Sequence, residues 1–251
     1  MSEIIPNKSC RLVGFCAAVL CGVVVQVAGV HAQQPSTPFT CLESKPEEQA
    51  DQLLQAVEQR YESFTDLAAR FYQDSYFIGL GQRVQSSGTV RFKKPGMMDW
   101  IYERPDPQRF VADGTTLWFS QPELNQVTVG AFQSSFSSDL PVSFLLGIGK
   151  LTENFKLLES CRSSDGVVLK LTPNAADPNL DEFMLLVDAS SKLPKGAKVV
   201  DLGGNETSIT FEEVDLTQQF SAGDFRFDIP KGTDVIDRRH SQPALTESEV
   251  K

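Results

Sequence analysis

GTVRFKKPGMMDWIYERPDPQRFVADGTTLWFSQPELNQVTV, residues 88–129, decides the fold. Four short β-type runs alternate there with tight turn signals, and Trp100, Tyr102, Phe110, Trp118 and Phe119 ride on them. β-Branched and aromatic runs bounded by Pro, Gly, Asn and Asp read as strands. Asp113-Gly114 between two such runs is a two-residue hairpin signal. The stretch holds no group that reads as an activated nucleophile or a metal ligand set. An aromatic antiparallel sheet without reactive groups suits a protein that holds an apolar ligand rather than one that transforms it.

Working outward, further β-type runs occupy Phe71–Phe77, Phe155–Ser160, Val167–Pro173, Glu182–Asp188, Lys198–Leu202, Glu206–Asp215 and Phe225–Ile229. Asp165-Gly166 and Gly203-Gly204-Asn205 supply more turns. Connections are short and nothing alternates as βαβ units, so the expectation is an antiparallel meander. A sheet that long curls as its twist accumulates. One helix precedes it. Ser44 and Glu47 are spaced as a capping box, with Pro46 in the first turn. Ala50, Leu53, Leu54, Val57, Tyr61 and Phe64 then form one apolar face that packs on the sheet. Gln133–Lys150 breaks the strand pattern, with two short helical turns about Pro141 carrying Phe136, Leu140, Phe144 and Leu145. Two readings stay open for this insert: a lid over the mouth of a curved sheet, or a fixed plug.

The ends frame one domain. Residues 1–32 read as a cleaved signal peptide: Lys8 and Arg11, an apolar run from Leu12 to Val30, then Val30-His31-Ala32. The alternative is a retained anchor, since the run is just long enough to span a bilayer. Residues 33–43 read as a linker, 44–237 as the domain and 238–251 as a disordered tail. With the leader removed, Cys41 and Cys161 remain in an oxidising setting and either pair or stay as free thiols. Pairing closes a loop of about 120 residues, stabilising the fold by ~4 to 5 kcal/mol in the chain-entropy model. Removing Lys8, Arg11 and Glu3 takes the formal charge from −10 to −11. No basic stripe exists to displace phosphate counterions, so nucleic acid is not an expected partner.

Histidine usage excludes most catalysis. The two histidines are His31 in the leader and His240 in the tail. The domain therefore lacks an imidazole for a Ser-His-Asp or Cys-His arrangement, and lacks His for zinc. Gly147-Ile148-Gly149-Lys150 fails as a phosphate loop, because Phe144 stands at its first Gly and Leu151 at its Ser or Thr. Acidic residues are abundant, but no spacing singles out a catalytic pair.

Several pieces in order resemble a known family. They are Phe92-Lys93-Lys94-Pro95, Asp99-Trp100-Ile101-Tyr102, Pro105, Asp113-Gly114-Thr115-Thr116-Leu117-Trp118-Phe119, Pro122 and Gln126-Val127. Leu169-Lys170-Leu171-Thr172-Pro173, Asp201–Thr207, Phe211 and Phe225–Ile236 follow. Together they resemble the LolA family of periplasmic outer-membrane lipoprotein carriers, over about residues 47 to 237. The resemblance implies a mainly β fold with helices (α+β): an unclosed antiparallel β-barrel of about 11 strands covered by a helical lid. It implies a monomer that needs no cofactor and catalyses nothing. Its cargo would be triacylated lipoproteins, received from an inner-membrane ABC transporter and handed to an outer-membrane acceptor lipoprotein. The other readings are a periplasmic lipid or lipoprotein sensor of the same fold, or a structural β-domain.

On that resemblance, Met98, Trp100, Tyr102, Phe119, Leu169 and Leu171 are expected to line the acyl-chain cavity, and Phe136, Leu140, Phe144 and Leu145 to close it. Many family members carry Arg before the Pro that follows the second strand, tying the barrel to carbonyls of the lid. Here that position is Lys94, which offers three donors but no planar fork. Phe144→Glu or Leu145→Glu is expected to abolish lipoprotein transfer while leaving the sheet folded. Normal lipoprotein release from spheroplasts by either variant counts against the lid assignment.

Overall fold

Alternating apolar and polar residues build one sheet. The computed structural model describes residues 37–42, 50–132, 150–175, 177 and 180–239. The leader, the capping box at Ser44, the insert 133–149 and the tail from His240 lie outside them. Among the described residues the strands are β1 (Asp66–Phe77), β2 (Gln82–Lys93), β3 (Met97–Arg104), β4 (Gln108–Asp113), β5 (Thr116–Gln121) and β6 (Gln126–Ala131). They continue as β7 (Phe155–Arg162), β8 (Val167–Pro173), β9 (Glu182–Val187), β10 (Pro194–Val200), β11 (Glu206–Asp215) and β12 (Asp234–Asp237). The helices are α1 (Ala50–Glu62) and the single turn α2 (Leu151–Asn154).

The twelve strands lie in the order β12-β6-β5-β4-β3-β2-β1-β11-β10-β9-β8-β7. β12 and β7 end the order without pairing, so the barrel is unclosed. Every neighbouring pair is antiparallel except β12 and β6. Turn chemistry sets the register. In the β4–β5 hairpin Asp113 Oδ1 accepts the Thr115 and Thr116 N–H groups at 2.8 and 2.7 Å, and Gly114 takes φ +89°. One core joins Ala112 on β4 to Phe155 on β7, strands far apart in the sheet order, so the sheet curls around it. The Leu54, Val57 and Tyr61 side of α1 fills the inner face.

Two terminal straps cover parts of the outer face. The first is 37–42. A disulfide joins Cys41 to Cys161 on β7, with Cα atoms 5.5 Å apart. Phe39 inserts among Cys161, Val168 and Leu186. It lies against Gly196, where a Cβ would stand 2.4 Å from the Ile209 carbonyl oxygen and 3.3 Å from the Phe39 ring. The second strap follows β11. Asp99, fully buried, accepts from Arg91 and from Arg109 Nε at 2.8 Å. The two guanidiniums lie 5.6 Å over the Phe220 ring and 5.8 Å over the Phe227 ring. Buried Phe225 and the Trp118–Phe227 ring pair complete the seam.

This strap corrects two expectations. Phe225–Ile229 is not a strand: a 3-10 turn spans Ala222–Phe225, capped by Ser221 and Asp224, and unpaired chain follows. Its alternating phenylalanines reflect docking onto the outer face, which mimics a strand's period. The last strand is β12, which runs parallel to β6, so the sheet is not wholly antiparallel.

Asp99→Ala leaves two partly exposed arginines around an apolar gap and unfastens the second strap. Urea denaturation is expected to show a loss of about 2–3 kcal/mol, discounted from a fully buried pair because the arginines reach water. A loss below about 1 kcal/mol, the value of a surface pair, is the contrary result.

Candidate functional site

Strand alternation sends Met98, Trp100 and Tyr102 to one side of β3 and Leu169 and Leu171 to the same side of β8, all facing the inner core. Phe110 pairs with Trp100 across β3–β4, and Phe119 pairs with Phe110 across β4–β5. The six residues named from sequence thus share the inner face. They sit in a lattice of rings. Phe71 lies 5.0 Å from Trp100 and 4.9 Å from Tyr102, and Phe92 and Phe211 flank Trp100 at 5.9 and 6.3 Å. Phe110 and Phe119 stack at 4.2 Å. Phe71, Phe92, Phe110 and Phe211 were not assigned to the cavity from sequence. The period-two spacing of Leu67, Ala69 and Phe71 along β1 is the signal that finds Phe71, and pairing places Phe92 opposite Met98, Phe110 opposite Trp100 and Phe211 opposite Phe71.

Among the described residues the gap between Tyr61, Leu67, Phe92, Leu193, Pro194, Phe211 and Val214 measures about 10 Å³, at the threshold for one water. The Leu54, Val57 and Tyr61 side of α1 packs into the core beside it. Two polar anchors of that helix are Glu58 and the carbonyl of Tyr61. Glu58 accepts the Thr152 N–H at 2.9 Å and the Thr152 hydroxyl at 3.0 Å. Lys94 donates to the carbonyl of Tyr61 in the last turn of α1. Its ammonium stands 3.8 and 4.0 Å from the Tyr61 and Phe64 ring centroids. Burial pushes the Lys94 ammonium down to about 8, and the nearby Glu62 carboxylate opposes this. The described partner of Lys94 is therefore α1. Phe136, Leu140, Phe144 and Leu145 lie outside the described residues.

Towards the β1–β2 turn the inner face becomes polar. Tyr102 Oη donates to Gln73 Oε1 at 2.8 Å, Gln73 Nε2 donates to Ser75 Oγ at 3.1 Å, and Ser75 meets the Thr207 hydroxyl at 3.2 Å. Burial pushes the Tyr102 phenol up to about 12, so it stays a neutral donor. Beside this chain opens a cleft of about 220 Å³ lined by Gln73, Val84, Ser86, Tyr102, Pro105, Asp106, Gln108 and Phe110.

A larger hollow, about 520 Å³, lies on the outer face between the two straps. Its lining is mixed and strongly charged: Arg83 pairs with Asp74 at 3.2 Å and Lys198 with Glu206 at 2.9 Å, and Arg104 lines it as well. Such a surface offers little to an alkyl chain, so its size does not make it the site. Among the described residues no group of three or more His, Cys, Asp or Glu is placed to hold a metal ion.

Comparison with known proteins accords with this geometry. Residues 62–228 match the family model described as outer membrane lipoprotein carrier protein LolA. The outer-membrane lipoprotein carrier protein of Azotobacter vinelandii is 31% identical over 194 residues, covering 76% of this chain and 91% of that protein. The protein of the same name from Cupriavidus necator is 35% identical over 152 residues, 60% of this chain and 70% of that one. The Chromohalobacter salexigens protein is 33% identical over 177 residues, 70% of this chain and 82% of that one. The chain, with its unclosed sheet and aromatic inner face, belongs to the LolA family of outer-membrane lipoprotein carrier proteins.

Proposed function

We propose that this protein carries lipoproteins across the periplasm by sheltering their acyl chains on the inner face of the sheet. The observation that carries the reading is an aromatic inner face packed against the apolar side of one amphipathic helix, Leu54, Val57 and Tyr61. Met98, Trp100, Tyr102, Phe119, Leu169 and Leu171 contact acyl chains once α1 gives way, and α1 recloses on release. The rings supply large apolar area at little conformational cost, and Met98 adapts to chains of different shape. The cargo is triacylated lipoprotein, loaded by an inner-membrane ABC transporter and passed to an outer-membrane acceptor lipoprotein. The process is binding and release without covalent chemistry.

Lys94 is the latch in this scheme. It fastens the last turn of α1, where carbonyls lack intrahelical partners and favour a cation. Its three donors on a flexible stem make a looser fastening than a guanidinium fork.

Incubation of the mature protein with detergent-extracted lipoproteins, followed by size-exclusion chromatography, is expected to give stoichiometric co-elution of an acylated protein. Elution of the protein alone at saturating lipoprotein overturns the carrier reading.

The latch has its own pH signature. The folded Lys94 titrates near 8, below its ordinary value of about 10.5. The unfolded chain therefore binds more protons across that window, and the contribution of Lys94 to stability rises with pH through it. Arg stays charged throughout. The urea midpoint of the wild type, measured against Lys94→Arg to cancel the other titrating groups, is expected to climb between pH 8 and 10. A difference that stays flat shows that Lys94 is not buried against α1.

A further inference from the structure

An aromatic face that only wraps alkyl chains needs no polar atoms, yet this one holds an unpaired donor. Trp100 is 7% exposed, and among the described residues its Nε1 finds no hydrogen-bond partner. A buried N–H without an acceptor is costly and is seldom left so in a folded protein. Tyr102, whose ring stacks 6.3 Å from that indole, leads directly into the polar end of the same face. There the 220 Å³ cleft gathers Gln73, Ser86, Tyr102 and Gln108. Along the inner face, alkyl-type surface thus gives way to hydrogen-bonding groups within one or two residues of each strand.

The charge of the cleft narrows the ligand. Among the described residues no Lys or Arg lines it, and its one carboxylate is Asp106. A phosphate or a free carboxylate would meet that carboxylate with no cation to offset it. A neutral carbonyl acceptor attached to an alkyl chain fits both the donors and the charge. We propose that this end of the inner face recognises the ester carbonyls of a diacylglyceryl group, with Trp100 Nε1 and Tyr102 Oη donating to them. The inference rests on the reading of the inner face as the acyl-chain site. It adds that the carrier grips the junction where the chains meet the glyceryl unit, not the chains alone. Gln73 is the group that gives way: it accepts from Tyr102 in the closed state, and an incoming carbonyl takes its place.

The test separates carbonyl recognition from apolar binding. 1,2-Dioctanoylglycerol and its dioctyl ether analogue have chains of matched length, and only the first has carbonyls. Calorimetric titration into the mature protein is expected to show the ester binding about tenfold more tightly, the worth of one hydrogen bond to a buried orphan donor. In Trp100→Phe, which keeps an aromatic ring and removes the N–H, the ester-to-ether ratio falls several-fold, to the part that Tyr102 supplies, whatever the change in absolute affinity. Tyr102→Phe, which loses only the hydroxyl, lowers the ratio independently and guards against misfolding of the first variant. Equal binding of ester and ether by the wild type overturns carbonyl recognition and leaves the carrier reading standing. Binding of neither, with lipoproteins also failing to co-elute, removes both. Dioctanoyl phosphatidate binding more tightly than dioctanoylglycerol shows an anion site and overturns the assignment to neutral esters.

Discussion

An aromatic sheet face of this size cannot stand open to water, and that constraint organises the molecule. Burial of a large apolar side chain is worth roughly 2 kcal/mol, and the inner face presents Phe71, Phe92, Met98, Trp100, Leu169, Leu171 and Phe211 together. Something has to cover them. Among the described residues α1 covers them, its Leu54, Val57 and Tyr61 entering the same core. A ligand that displaces the helix must therefore replace the area it covers. Acyl chains do so without needing directed contacts, which makes them natural competitors for the helix's place.

The fastenings of the two faces differ in kind. The outer face is closed by a disulfide, by a fully buried carboxylate between two arginines and by stacked rings. These keep the sheet's curvature while the inside changes. The inner cover is held by apolar packing, by Glu58 on Thr152 and by Lys94 on the end of α1. A half-buried ammonium at a helix end resists opening less than the pinned strap behind it. On the proposed reading, rigidity is placed on the back of the sheet and opening on its front, where local opening free energies are lower.

Period-two alternation made most strands legible and put Trp100 and Tyr102 on one side of β3, but which side faces inward was not legible, because a one-residue slip exchanges the two faces. The turns were legible because Asp113-Gly114 and Gly203-Gly204-Asn205 carry their own backbone chemistry. The Phe225–Ile229 segment misled for a physical reason: phenylalanines spaced by two can dock onto a sheet as well as join one. β12 was missed because Asp234–Asp237 has two acids in four residues, a composition poor for strands, and only β6 alongside gives it a ladder. The role of α1 as cover was not legible either. An amphipathic helix reads the same whether it rests permanently on a sheet or yields to a ligand. The packing of Leu54, Val57 and Tyr61 into the aromatic core fits both, and only a bound ligand separates them.

The same packing bears on release. Three acyl chains of ~16 carbons carry about 45 methylenes, and complete shielding at ~0.8 kcal/mol each would be worth about 35 kcal/mol. Non-covalent affinities saturate near 20 kcal/mol, so a carrier that hid every methylene and paid nothing back would never let go. A face already filled by its own helix avoids this trap. Each methylene that enters expels apolar contacts of α1, so the net gain is the difference between two burials. On the proposed reading the helix returns on release and recovers what the ligand gave up. The closed state is therefore the competing ligand that brings affinity down into a range where transfer to an acceptor can proceed.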